Sequence, residues 1–132
     1  RNLILYKADD ENIIFKESKK HYNILKILNS GLIEYLNQEL NYPEVIILFG
    51  SYAKAENIKR SDIDIFILSN EKKELNLKDY EKKLETEIQI FLHTKKEFEN
   101  MKKSNKGLLN NILNGIKLSG FLEVFKWDLM IS

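Results

Sequence analysis

The chain has 132 residues, with 21 basic and 20 acidic side chains, a formal net charge of +1, 43% hydrophobic and 31% charged residues. That size and balance fit one soluble domain with one core, folding by burying roughly two-thirds of the surface its unfolded form exposes. The absence of cysteine excludes disulfides and thiolate metal sites, the near-neutral charge leaves no electrostatic footprint for nucleic acid, and the longest purely apolar run, Val45 to Phe49, is far too short to cross a bilayer.

No signal peptide is visible, so a cytoplasmic location is expected. Because the chain opens on Arg1 rather than Met, we expect a piece of a longer protein, with residues 1–17 a leader or remnant of a preceding module and residues 18–132 the domain proper. Leu3 to Tyr6 is a short apolar run that suits a strand. Asp9-Asp10-Glu11-Asn12 then supplies acids and an N-cap. Tyr22, Leu25, Leu28, Leu32, Leu36 and Leu40 recur at steps of three and four, which predicts one face of a long amphipathic helix. Asn41-Tyr42-Pro43 ends it, since the residue before proline is driven out of the helical region.

Val45-Ile46-Ile47-Leu48-Phe49 is continuously apolar and rich in β-branched residues, the pattern of a strand buried on both faces. Gly50 stops it, and the small polar residues from Ser51 to Ser61 predict a loop with at most a helical turn. Residues 62–68 and 87–92 alternate and read as two further strands, separated by a helix over Asp79 to Glu85. Thr94 followed by Glu97 is a capping-box pattern that opens another helix. Lys106 to Asn114 reads as helix with Gly115 as its C-cap, Ile116 to Leu118 as a last short strand, and the segment from Phe121 as a short helix. This order defines a mixed α/β (α+β) domain, a small central sheet flanked by helices.

Chemistry concentrates at two adjacent strand ends. Strand periodicity puts Asp62, Asp64 and Phe66 on one face and Ile63, Ile65 and Ile67 on the other. Carboxylates two residues apart are about 6.6 Å apart along a strand, so their oxygens can converge on one Mg²⁺ or bridge two. The plain alternative is an acidic pair that only solvates a strand edge. Gly50-Ser51 at the end of the preceding strand tips the balance, because glycine lets backbone N–H groups approach phosphate oxygens and the Ser51 hydroxyl can bond a terminal phosphate. From ordinary residue frequencies, a chance match at all four positions arises about once in a thousand chains of this length.

Phe49-Gly50-Ser51-Tyr52-Ala53-Lys54, followed by Ser61-Asp62-Ile63-Asp64, resembles the signature of the polymerase-β-like nucleotidyltransferases. Within that superfamily it is most similar to the minimal nucleotidyltransferases of prokaryotes. The specific likeness covers residues 49–64, and a looser one runs from about Leu25 to Gly120. The resemblance implies a Gly50-Ser51 turn that holds a nucleoside triphosphate, ATP being expected, and Asp62 and Asp64 as ligands of one or two Mg²⁺ ions. It also implies a third carboxylate on a later strand as base, and transfer of a nucleoside monophosphate to a hydroxyl with pyrophosphate leaving. The acceptor it suggests is a small molecule or a protein hydroxyl, as in antitoxin-type relatives that modify a partner toxin.

Two positions depart from the pattern. Lys54-Ala55 replaces the usual Arg-Gly, so Lys54 keeps a charge for phosphate but loses the bidentate fork. The third carboxylate aligns with Gln89, and an amide cannot take a proton at neutral pH. Glu87 lies on the same strand face and replaces it if the register shifts by two. A catalytically weak nucleotide sensor, attached to a DNA-binding module, is therefore the second reading. Residues 5–7 and 11–17 resemble the linker after a winged-helix DNA-binding module in archaeal chains, which would make Leu3 to Tyr6 the end of a wing; an ordinary leading strand is the alternative. Ser61 is a further nucleotide-binding candidate, with a purely local turn role as its alternative. His21 and His93, lacking a second partner, read as surface residues rather than ligands.

Overall fold

The computed structural model describes the backbone of residues 2–124 and the side chains of residues 12–124. Its elements run α1 (Asn2–Asn29), α2 (Leu32–Glu39), β1 (Val45–Phe49), β2 (Ile63–Leu68), α3 (Lys78–Leu84), β3 (Ile88–His93), α4 (Lys95–Ser104), α5 (Lys106–Leu113) and β4 (Ile116–Gly120). This is the mixed α/β architecture expected, and none of these helices is long and apolar enough to cross a membrane.

The N-terminal part corrects the sequence reading. No glycine or proline stands between Asn2 and Ser30, so nothing interrupts helix propagation. α1 accordingly runs unbroken through Leu3–Tyr6, where a strand or wing was expected, and through Asp9–Asn12, where an N-cap was expected. Its inward residues are Asn23 and Ile27, while Tyr22, Leu25 and Leu28 are exposed at 63%, 45% and 42%. The predicted stripe fails because the helix breaks at Gly31, whose φ of +84° lies in the left-handed region. Ser30 closes the break: its Oγ donates to Ile27 O (2.6 Å) and accepts from Leu32 N (3.2 Å). Past it, Leu32, Leu36 and Leu40 are buried as expected. α2 then ends on Asn41 and Tyr42, both at positive φ, with the Tyr42 amide donating to Asn37 O (2.7 Å).

The sheet has strand order β3-β2-β1-β4. β1 is antiparallel to both β2 and β4, whereas β2 and β3 are parallel, joined through α3. Alternation sorts the side chains into two cores. Ile46, Leu48, Ile63, Ile65, Ile67 and Ile88 pack with Ile27 of α1 and with the α2 leucines. Val45, Ile47, Phe49, Phe66 and Leu68 pack on the opposite face against Phe98, Met101 and Ile112 of α4 and α5. Because both faces are covered, β1 is buried throughout, as its sequence predicts.

Gly115 has a different reason from the one expected. α5 is capped by Asn114, and a Cβ at Gly115 would lie 2.5 Å from Leu48 O and 2.7 Å from Ile47 Cγ2. Glycine here lets the start of β4 come up against β1. Phe121 to Val124 is not helical, and the rest of the predicted C-terminal helix lies outside the described residues.

The capping box is formed as predicted: Glu97 N donates to Thr94 Oγ1 (3.2 Å) and Thr94 N donates to Glu97 Oε1 (2.8 Å). Lys72 also reaches the Glu97 carboxylate at 2.7 Å, and with the Thr94 amide it draws that carboxyl down to about 2. Thr94→Ala removes one half of the box and is expected to cost about 1 kcal/mol, a fall in Tm of roughly 4 °C, read by thermal melting.

Candidate metal and nucleotide site

β1 and β2 bring the motif residues together. Phe49 pairs with Asp64 across the antiparallel ladder, so Gly50 begins where the two strand ends meet. Gly50 has φ +76°, and a Cβ on it would lie 2.5 Å from Asp64 Oδ2. Backbone conformation and space thus both require glycine. The chain then folds back in a tight turn closed by Lys54 N to Gly50 O (3.2 Å) and Glu56 N to Ser51 O (2.9 Å). Tyr52, Ala53 and Ala55 are buried and anchor this turn, leaving Ser51 half-buried and Lys54 exposed.

Asp64 is half-buried and Asp62 exposed, on the sheet face that also carries Phe49, Phe66 and Phe91. Burial first, and then the charge of Asp62, holds the Asp64 carboxyl above its ordinary value. A carboxylate made costlier to ionise by burial and by a neighbouring carboxylate suits a shared divalent cation, which offsets the repulsion. A glycine cradle pressed against one of them leaves no side chain in the way. This donor set fits Mg²⁺ shared with substrate phosphates. Among the described residues no third Asp, Glu or His completes a group of three that could hold a metal.

Strand register identifies what stands beside the pair. Asp64 is the parallel partner of Gln89, with Ile63 opposite Ile88, so Glu87 follows one position before β3 on the face of Gln89. Glu87 is exposed, and its carbonyl accepts the Ile63 amide (2.9 Å). The Ser61 hydroxyl accepts the Ile58 amide (2.9 Å), closing its own turn ahead of Asp62. His93 pairs with Leu68, roughly 13 Å along the strand from the Asp64 level. It is half-buried: its ring stacks on Phe66 (centroids 5.6 Å), its Nδ1 has no partner among the described residues, and burial lowers its pKa.

Sequence reading missed Asn23 and Lys19, which tie α1 to this turn. Asn23 Nδ2 donates to Tyr52 O (3.1 Å) and Asn57 Oδ1 (2.9 Å), and Lys19 Nζ donates to Asn57 O (2.6 Å). The available signal was an asparagine inside the run Tyr22-Asn23-Ile24-Leu25, one helical turn before the apolar Ile27 on the same face. Two surface grooves, one beside Tyr22 and Lys83 and one beside His93 and Ser104, include neither aspartate. The carboxylates lie instead at the open end of the sheet.

The four-stranded sheet thus sets a Gly-Ser turn against an Asp-X-Asp strand. The family model for polymerase beta and nucleotidyltransferases matches residues 30–119, well over half of the chain, and the chain belongs to that family. No curated protein matches it. A crystal structure from Sulfolobus solfataricus, provisionally named a nucleotidyltransferase, is 19% identical, with a TM-score of 0.40 over 62% of this chain and 79% of that one. So distant a likeness adds nothing to the family match.

Two stability measurements probe the site without a ligand. A folded pKa above the unfolded one means that ionised Asp64 costs native stability, a cost that vanishes as pH falls through the raised value. Asp64→Asn should therefore raise Tm at pH 7 in EDTA, with the gain shrinking towards pH 4. Equal melting of the two proteins at both pH values would contradict this. Ala55, at φ +58° and buried, occupies the position where the family pattern has glycine. Ala55→Val should cost about 2 kcal/mol, since β-branched residues are poorly tolerated there. Ala55→Gly should change stability by less than about 1 kcal/mol, because strain relief offsets a lost buried methyl.

Proposed function

We propose that the chain transfers a nucleoside monophosphate from a nucleoside triphosphate, ATP in the first instance, to a hydroxyl acceptor, with Mg²⁺ held by Asp62 and Asp64. The closeness of the Gly50 backbone to the Asp64 carboxylate carries this reading, because phosphate on the turn and a cation on the carboxylates would then be neighbours. Ser51 would donate its hydroxyl to a terminal phosphate oxygen, and Lys54 would add one positive charge there. When bound, the cation neutralises charge on the phosphate oxygens. The acceptor oxygen bonds to the α-phosphorus, the bond from that phosphorus to the bridging oxygen breaks, and pyrophosphate leaves with the electron pair. Glu87, exposed on the same face as the pair, is the carboxylate proposed to take the acceptor proton. A protein hydroxyl on a partner, or a small molecule, is the proposed acceptor.

One observation favours a second reading. The residue in register with Asp64 is Gln89, which cannot serve as a base. In that case the domain binds nucleotide without transfer and serves as a sensor for a DNA-binding module.

Calorimetric titration of ATP with and without Mg²⁺ tests what the two readings share. Mg²⁺-dependent binding is expected, weakened at least about tenfold in Asp62→Ala/Asp64→Ala. No binding by the unaltered chain would remove both readings. Loss of transfer in Glu87→Gln supports the enzyme, whereas transfer that appears only in Gln89→Asp supports the sensor.

A further inference from the structure

We propose that Asn23 is a positioning residue for the phosphate-binding turn, which makes the N-terminal helix α1 a structural part of the nucleotide site. The proposal rests on the function above only for what the turn binds; the clamp itself is a matter of geometry.

The turn between Gly50 and Asn57 has little to hold its shape from within. Two backbone hydrogen bonds close it, from Lys54 N to Gly50 O and from Glu56 N to Ser51 O, and Ala55 sits in the left-handed region that disfavours any side chain. Its definition therefore has to come from outside, and Tyr52 is held at both ends. Its hydroxyl meets Thr86 Oγ1 at 3.1 Å, and its carbonyl accepts from Asn23. Tyr52 directly follows Ser51 and lies two residues before Lys54, the side chains that would meet phosphate.

Asn23 is 3% exposed, so the bonds it makes are shielded from water. Its amide orientation follows from chemistry: Tyr52 O can only accept, so Nδ2 must face it. The second N–H of the same nitrogen goes to Asn57 Oδ1, and one amide thus spans the turn from Tyr52 to Asn57. Lys19, one helical turn earlier on the same face, adds the bond to Asn57 O. A leucine at position 23 would satisfy the apolar packing of α1 and leave the Tyr52 carbonyl buried without a donor.

The test compares three variants in the nucleotide-free protein and with a fluorescent ATP analogue plus Mg²⁺. Asn23→Asp keeps the shape of the side chain and removes both donors; Lys19→Met keeps the stem and removes the ammonium; Lys20→Met removes an α1 ammonium that pairs with Glu17, outside the clamp. Amide exchange at Lys54 and Glu56 should quicken about tenfold in Asn23→Asp, with the β2 amides unchanged, and analogue affinity should fall about tenfold. Lys19→Met should show a smaller change of the same kind, and Lys20→Met should behave as the unaltered protein. Unchanged exchange in Asn23→Asp, or acceleration spread evenly over the turn and β2, would overturn the clamp. So would quicker exchange of the turn with full analogue affinity. If the unaltered protein takes up no analogue, the proposed function falls, while exchange in the free protein still decides the role of Asn23.

Discussion

At Gly50 and Asp64 the ends of two strands approach so closely that a single methyl group would collide with a carboxylate oxygen. Much of the domain serves that approach. β1 must be buried on both faces to hold its end in place, and β2 must pair with it in the register that sets Phe49 opposite Asp64. A slip of one residue would turn both aspartates into the core formed with α1 and α2 and bring Ile63 to the site. That slip is opposed by the cost of burying two carboxylates in the core that holds Ile63, Ile65 and Ile67.

The site thus inherits its precision from apolar packing and contributes little stability of its own. Burial and the charge of Asp62 make the ionised form of Asp64 costlier. Ala55 carries a backbone conformation that suits glycine. Such local costs persist where surrounding structure over-determines them. Here the surroundings are Tyr52, Ala53 and Ala55 packed under the turn, together with the polar ties from Asn23, Lys19 and Thr86.

Strands were the most legible part of the chain. Val45 to Phe49 and the alternations around residues 63–68 and 88–93 carry periodicities that tertiary context had no reason to override. The Thr94 and Glu97 pair was equally plain, because a capping box is a local device. The face of α1 was not legible. Tyr22, Leu25 and Leu28 match the helical period as well as the buried set does, and only the break at Gly31 shows that they need not align with Leu32 and Leu36. At the site, Gly50, Ser51, Asp62 and Asp64 could be picked out because they lie close in sequence. Which residue of β3 stands beside Asp64 depends on a parallel pairing across 25 positions, from 64 to 89, and no local pattern encodes it. Asn23 is further still, joined to Tyr52 across 29 positions through a single side-chain amide.

Among the described residues the sheet ends in β3 on one side and β4 on the other, each with an unpaired hydrogen-bonding edge. β4 covers only Ile116 to Gly120, carries Lys117 at mid-strand, and joins β1 with an irregular register at Ile46 and Ile47. A short strand with a charge at its middle and a bulge in its ladder offers a poor template for another chain to extend. β3 is flanked by exposed Glu87 and carries exposed Gln89 where it begins. Polar residues at its start make that edge, too, a poor template for another chain, so replacing them with apolar side chains would lower colloidal solubility.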